Sequence, residues 1–87
     1  MRESEVERYL VQQAKLHGDE CRKVKWIGRN GAPDRILLKR NLWVELKAPG
    51  KKPEPHQLRE HLRMRAMGCS VVVVDSIQSV DDIFRGY

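Results

Sequence analysis

Cysteine is scarce in this chain: Cys21 and Cys69 are the only two, and their spacing suggests no framework of paired thiols. This argues against a disulfide-stapled secreted scaffold, and the thiols are expected to be reduced in a cytoplasmic protein. His17 and Cys21 could form one zinc-ligand pair, but no second pair accompanies them, so nothing points to a zinc site. No N-terminal apolar stretch resembles a signal peptide, and no run approaches the ~20 apolar residues that a membrane span needs. Internal repeats and low-complexity linkers are also missing, so 1–87 reads as a single domain with no room for a second core. A chain this short buries only about 60–65% of its unfolded surface, which leaves a lone monomer modestly stable and oligomerisation open.

Acidic residues are outnumbered, 12 Asp and Glu against 17 Lys and Arg, for a net charge of +5. A basic surface attracts polyanions, and counterion release supplies most non-specific affinity for nucleic acid. Charge kept for solubility alone is the plainer account, and nucleic acid is preferred over it. The apolar fraction of 40% is that of a folded globule rather than a disordered chain.

Periodicity gives the elements. Residues 3–17 read as a helix with Val6, Leu10, Val11 and Ala14 as its apolar stripe, Ser4 and Glu7 as a capping box and Gly18 as its stop. Lys23 to Ile27 alternates basic and apolar residues, a strand with Val24 and Trp26 on one face. The stretch from Gly28 to Pro33 is a loop. Strands follow at about 34–39 and 42–47, joined by a two-residue turn at Arg40-Asn41. After a basic loop from Ala48 to Pro55, Pro55 opens a helix to about Met67 with Leu58, Leu62 and Ala66 inward. Val71 to Val74 reads as a strand buried on both faces. Ser79 and Asp82 look like the cap of a last helix carrying Val80, Ile83 and Phe84. The order αβββαβα implies an α/β (α+β) fold with a mixed sheet flanked by helices.

The central hairpin is where polar residues need a reason. A two-residue turn at Arg40-Asn41 sets Asp34 opposite Lys47 and Ile36 opposite Glu45. Alternation then puts Asp34, Glu45 and Lys47 on one face, with the two acids as diagonal neighbours at roughly 7–8 Å. The other face presents Leu37, Leu42, Val44 and Leu46, an ordinary core surface. A structural salt bridge to Lys47 is one reading of the polar set, and a solvated strand face is what alternating charges usually mark. The other is chemical: Mg²⁺ binds through one or two carboxylates plus substrate phosphate, and a lysine beside it can orient water or stabilise phosphoryl charge.

The motif Pro33-Asp34, ten intervening residues, then Glu45-Leu46-Lys47 resembles the signature of the PD-(D/E)xK nuclease superfamily. With Gly31-Ala32-Pro33-Asp34-Arg35, Val44-Glu45-Leu46-Lys47-Ala48 and Gln57, the chain is similar over nearly its whole length to the virus-type replication-repair nuclease (VRR-Nuc) family, and its short length to stand-alone phage and bacterial members. That resemblance implies a Mg²⁺-dependent endonuclease, with Mn²⁺ as a substitute, whose metal is held by Asp34, Glu45, the main-chain carbonyl of Leu46 and an acid on the first helix. Glu7 is the candidate for that acid, with its capping role as the plainer account and Glu3 as the fallback. The resemblance also implies that Gln57 points at the site, that the chain works as a homodimer, and that the substrate is a four-way junction or other branched DNA.

Lys51 and Lys52, in the loop after Lys47, are expected to hold the DNA backbone, with Arg29 and Arg35 and then Arg59, Arg63 and Arg65 extending that surface. His56 and His61 read as surface groups or phosphate contacts, and Trp26 and Trp43 as core or interface anchors. No base-reading motif is visible, so specificity is expected from DNA shape. Two rival readings stay open: a non-catalytic DNA-binding module on this fold, and a restriction-type enzyme cutting plain duplex. A phage-encoded member would act in the cytoplasm of a bacterial host, with no membrane association.

Overall fold

The computed structural model describes residues 1–86. The elements run α1 (Glu3–Leu16), β1 (Cys21–Lys23), β2 (Arg35–Leu37), β3 (Leu42–Leu46), α2 (Pro55–Ala66), β4 (Ser70–Val74) and α3 (Ile77–Gly86). The strands form one four-stranded mixed sheet in the order β1-β2-β3-β4, antiparallel except for the parallel pair β3–β4. The expected element order and mixed α+β architecture are therefore observed.

Side-chain alternation divides the molecule at the sheet. Leu37, Leu42, Val44 and Leu46 turn one face toward Val6, Leu10 and Ala14 of α1 and Val80 and Ile83 of α3, and these residues with Val74 make the hydrophobic core. The stripe of α1 recurs at helical spacing, as its sequence requires. Val11 lies at its margin, exposed rather than buried. On the opposite face of β3, Glu45 meets α2 through Gln57 and His61. One side of the sheet thus carries the main hydrophobic core, and the other sets polar groups among Trp43, Val71 and Met64.

Several boundaries differ from the sequence pattern. β1 forms at Cys21–Lys23 rather than 23–27, because Cys21 packs against the core and Leu38 N–H donates to Glu20 O at 2.9 Å. Val24 and Trp26 still alternate inward, while Ile27 is 96% exposed. The helix-α1 cap is Glu5 accepting from Arg2 N–H at 3.0 Å, not the Ser4–Glu7 pair. Helix α3 opens on Ser76 and Ser79, with Ser79 N–H donating to Ser76 Oγ at 3.0 Å, and not on Ser79 and Asp82. β4 is an edge strand, and Val73 is correspondingly exposed on its outer face.

The largest departure is in α2. Its buried residues are Glu60, His61 and Met64, with Gln57 half-buried one turn earlier. Leu58 and Leu62, expected inward, point to solvent at 47% and 64% exposure, and Ala66 is exposed with them. The sheet face that α2 covers is mixed, with Glu45 beside Trp43 and Val71, and α2 turns Gln57, Glu60, His61 and Met64 to it while the leucine stripe faces out. Gly31 fixes how closely α2 approaches: its φ is +93°, and a Cβ there would lie 2.9 Å from both Glu60 Cβ and His56 O. Only glycine fits both the backbone angle and the space.

Among the described residues no helix is long and apolar enough to cross a membrane. Cys21 and Cys69 are both free thiols.

Candidate active site

The β2–β3 hairpin bends over the four residues 38–41, not two, with Asn41 at φ +58°. A buried carboxylate holds that turn. Asp19 accepts from Lys39 N–H at 2.7 Å, Glu20 N–H at 2.7 Å and Arg40 Nη1 at 2.9 Å. Burial by itself pushes the Asp19 carboxyl up, but the Lys39 amide, the Arg40 guanidinium and the Glu20 amide outweigh it and hold it below the ordinary carboxylate range.

The longer turn moves the register by two residues. Ile36 pairs with Trp43 rather than Glu45, and Leu37 with Leu42. A slip of two leaves every side chain on its expected face, whereas a slip of one would have inverted the hairpin. Continued one step, the observed register brings Asp34 level with Glu45 instead of Lys47. Asp34 N–H donates to Val44 O at 3.0 Å, and its Oδ2 accepts from Leu46 N–H at 2.7 Å, so the carboxylate is tied to the strand that carries Glu45.

Glu45 is 1% exposed. Its Oε2 accepts from Gln57 Nε2 at 3.2 Å and lies 3.6 Å from Lys47 Nζ. Its Oε1 is buried without a hydrogen-bond partner, 3.5 Å from the Nε2 of His61. Burial first, and then the neighbouring charge of Asp34, push the Glu45 carboxyl up to about 7, against the opposing pull of Lys47. Two carboxylates that disfavour each other's charge, one with a free inward oxygen, are oxygen donors suited to a hard divalent cation. The residues present fit such an ion.

Gln57 is gripped at both ends: its Oε1 accepts from Glu54 N–H at 2.8 Å to cap α2, while its amide reaches Glu45. His61 is fully buried, not a surface group as its sequence position suggests, and neither ring nitrogen has a hydrogen-bond partner. Burial, then Arg65 and Lys47, hold its pKa below the usual histidine value despite Glu60 and Asp34, so the ring is neutral near pH 7. The sequence does carry a signal for it. Once Gln57 faces the site, helical geometry brings the residues three, four and seven positions on to the same side, which are Glu60, His61 and Met64.

Asp34, Glu45, Lys47 and Gln57 are thus brought together. Glu7 is not among them: its Oε2 pairs with Arg35 Nε at 2.9 Å. Arg35 is held inward by that pair rather than offered to a DNA backbone, and Glu3 is exposed in the first turn of α1. Among the described residues no group of three or more His, Cys, Asp or Glu side chains is arranged to hold a metal ion. Lys51 and Lys52 are exposed in the loop after Lys47, as expected. Arg29 is half-exposed and paired with Glu60 Oε1 at 3.0 Å.

No family model matches the chain. A phage protein described as "Putative nuclease p44", from Acyrthosiphon pisum secondary endosymbiont phage 1, is 44% identical over 79 residues, which cover 87% of this chain and 85% of that protein. A solved structure described as a VRR_NUC domain superposes with a TM-score of 0.85 at 40% identity, covering 98% of this chain and 96% of that one. Both likenesses run through the hairpin and α2, where the acids, Lys47 and Gln57 are gathered. The chain belongs to the VRR-Nuc family of PD-(D/E)xK nucleases.

Proposed function

We propose that this protein is a metal-dependent DNA endonuclease in which Asp34, Glu45 and the Leu46 carbonyl hold Mg²⁺, or Mn²⁺ in its place. The observation that carries the reading is the pairing of Asp34 with a buried Glu45 whose Oε1 has no hydrogen-bond partner. A divalent cation there supplies Lewis-acid polarisation of the phosphodiester and neutralises its charge. The protein's own groups do the rest. Leu46 N–H fixes the Asp34 carboxylate, and Gln57 fixes Glu45. Lys47, 3.6 Å from Glu45, is placed to orient the attacking water or to stabilise charge on the phosphoryl group. Glu7, already neutralised by Arg35, takes a structural role in this scheme.

Lys51 and Lys52 support a duplex-backbone contact beside the site, and the net charge of +5 supports a polyanionic substrate. The short phage relative supports action in the cytoplasm of a bacterial host. Branched DNA, cut by a homodimer, is the substrate we assign: two copies about a two-fold axis present two sites of opposite polarity, which paired nicks across a junction require.

The test is cleavage of a four-way junction, a flap and a linear duplex, each with Mg²⁺ and with EDTA. Preferential, EDTA-sensitive cutting of the branched substrates is expected. Asp34→Ala is expected to abolish cleavage while leaving junction binding largely intact. Full cleavage by that variant overturns the site. Binding without any metal-dependent cutting makes the protein a DNA-binding module instead.

A further inference from the structure

We infer that the groove beside the acid pair is a stacking site for an unpaired nucleobase of the substrate strand. The inference rests on the nuclease reading for its substrate, but on different residues. The groove is open to solvent and offers about 430 Å³, within the size range of small-molecule sites. Trp26, Trp43, Met64 and Met67 line it, with Arg29 and Arg63 alongside.

Its geometry is fixed from below. The two indoles sit with centroids 5.6 Å apart at an interplanar angle of 54°. Trp26 Nε1 donates to Glu60 Oε2 at 2.8 Å. The same buried carboxylate takes Arg29 and Arg63 at 3.0 Å each through Oε1. Trp26 and Trp43 therefore form an apolar surface braced by Glu60, whose buried carboxylate is also the one counter-charge of two half-exposed guanidiniums. The net charge at the groove is positive.

Position selects the occupant. Trp43 and Glu45 are alternate residues on one face of β3, so the groove begins about 6.5–7 Å along the strand from the acid pair. A strand whose phosphate lies at Glu45 would pass the guanidiniums and bring the next base to the indoles. Aromatic faces accept any base, which suits a site without a base-reading motif. A base in duplex enters only at the cost of a few kcal/mol of unstacking and unpairing, so the groove favours a nucleotide already unpaired at a branch point. A second copy of this chain is the less suited occupant, since it would bring another net +5 against the two guanidiniums.

The chain's only two tryptophans both line the groove, so intrinsic fluorescence reports on it directly. The 87-residue chain is titrated in EDTA, which blocks metal-dependent cleavage, with a forked DNA, a blunt duplex, and forks carrying an abasic site at successive branch-point nucleotides. Strong quenching by the intact fork is expected, with weak quenching by the duplex and by the fork whose abasic site falls at the stacked position. Trp26→Leu is expected to weaken fork binding roughly 5- to 150-fold, the effect of losing one stacked base, with little change for duplex. Arg29→Ala and Arg63→Ala, which leave the apolar surface in place, are each expected to lower the salt dependence of fork binding.

Equal quenching by intact and abasic forks, or by fork and duplex, overturns the inference. So does a concentration-dependent blue shift of tryptophan emission without DNA, accompanied by dimer formation in sedimentation, because the groove is then filled by a second copy. Cleavage is scored separately: metal-dependent cutting without base-dependent quenching removes the groove alone, and base-dependent quenching without cutting removes the nuclease reading and leaves the groove standing.

Discussion

Asp19 shows how one side chain far from the chemistry can set it. Its buried carboxylate accepts from the Lys39 and Glu20 amides and from Arg40, and so holds the hairpin turn in the register that levels Asp34 with Glu45. Removing one partner of such a cluster strands the others, so Asp19→Ala is expected to lose about 3 kcal/mol of stability in urea unfolding. The pH dependence follows from its depressed pKa. In the folded chain the carboxyl sits below the ordinary range, and in the unfolded chain it returns to about 3.9. Its contribution is therefore fully present above about pH 4 and fades as pH falls through the folded value. Urea midpoints measured at pH 7 and pH 3 should fall further for the parent chain than for Asp19→Asn. No pattern rule singles out Asp19, because a lone acid between a helix and a strand looks like any loop residue. Asp34, Glu45 and Lys47 were legible because their spacing on a strand has a chemical meaning. Their mutual arrangement was legible to within two residues of register, and parity kept the face correct.

At the scale of the element, α2 is the part that apolar periodicity misread. Leu58, Leu62 and Ala66 recur at helical spacing and would face inward over an apolar sheet. Here the sheet offers Trp43 and Glu45, and the helix turns Gln57, Glu60, His61 and Met64 to meet them. Burial of a polar helix face costs least where its groups are paired: Glu60 is paired three ways, with Trp26, Arg29 and Arg63, whereas the ring nitrogens of His61 have no hydrogen-bond partner. The reversal has a measurable consequence. In dilute protein, Leu62→Gln is expected to change unfolding free energy by less than about 0.5 kcal/mol, whereas Met64→Ala should cost about 2–3 kcal/mol. Gly31 controls the seat of the same helix. Gly31→Ala meets Glu60 and His56 at 2.9 Å and strains a backbone at φ +93°, so a loss on the order of 2–4 kcal/mol is expected. Because the displaced helix carries Gln57, cleavage should fall with it. Activity unchanged in a folded Gly31→Ala protein would contradict that coupling.

Across the whole molecule, stability and chemistry are assigned to opposite faces of one sheet. The element order showed that a sheet would be covered on both sides, but not that only α1 and α3 would close an apolar core over it. Leu37→Ala is expected to cost about 2–5 kcal/mol, since Leu37 is fully buried in that core. Glu45→Gln should behave in the opposite way. It removes a buried charge that Asp34 opposes and is expected to stabilise the metal-free protein at pH 8 by about 1–2 kcal/mol while ending cleavage, as happens where a site carries strain for function. The central claim is that acids from two neighbouring strands form the divalent-ion site without help from α1. Mn²⁺ binding, followed by the loss of the free-ion electron paramagnetic resonance signal, tests it most directly. Tight binding is predicted for the parent chain and for Glu7→Gln, and its loss for Asp34→Asn and for Glu45→Gln. Undiminished Mn²⁺ binding in either of the last two variants would contradict the account.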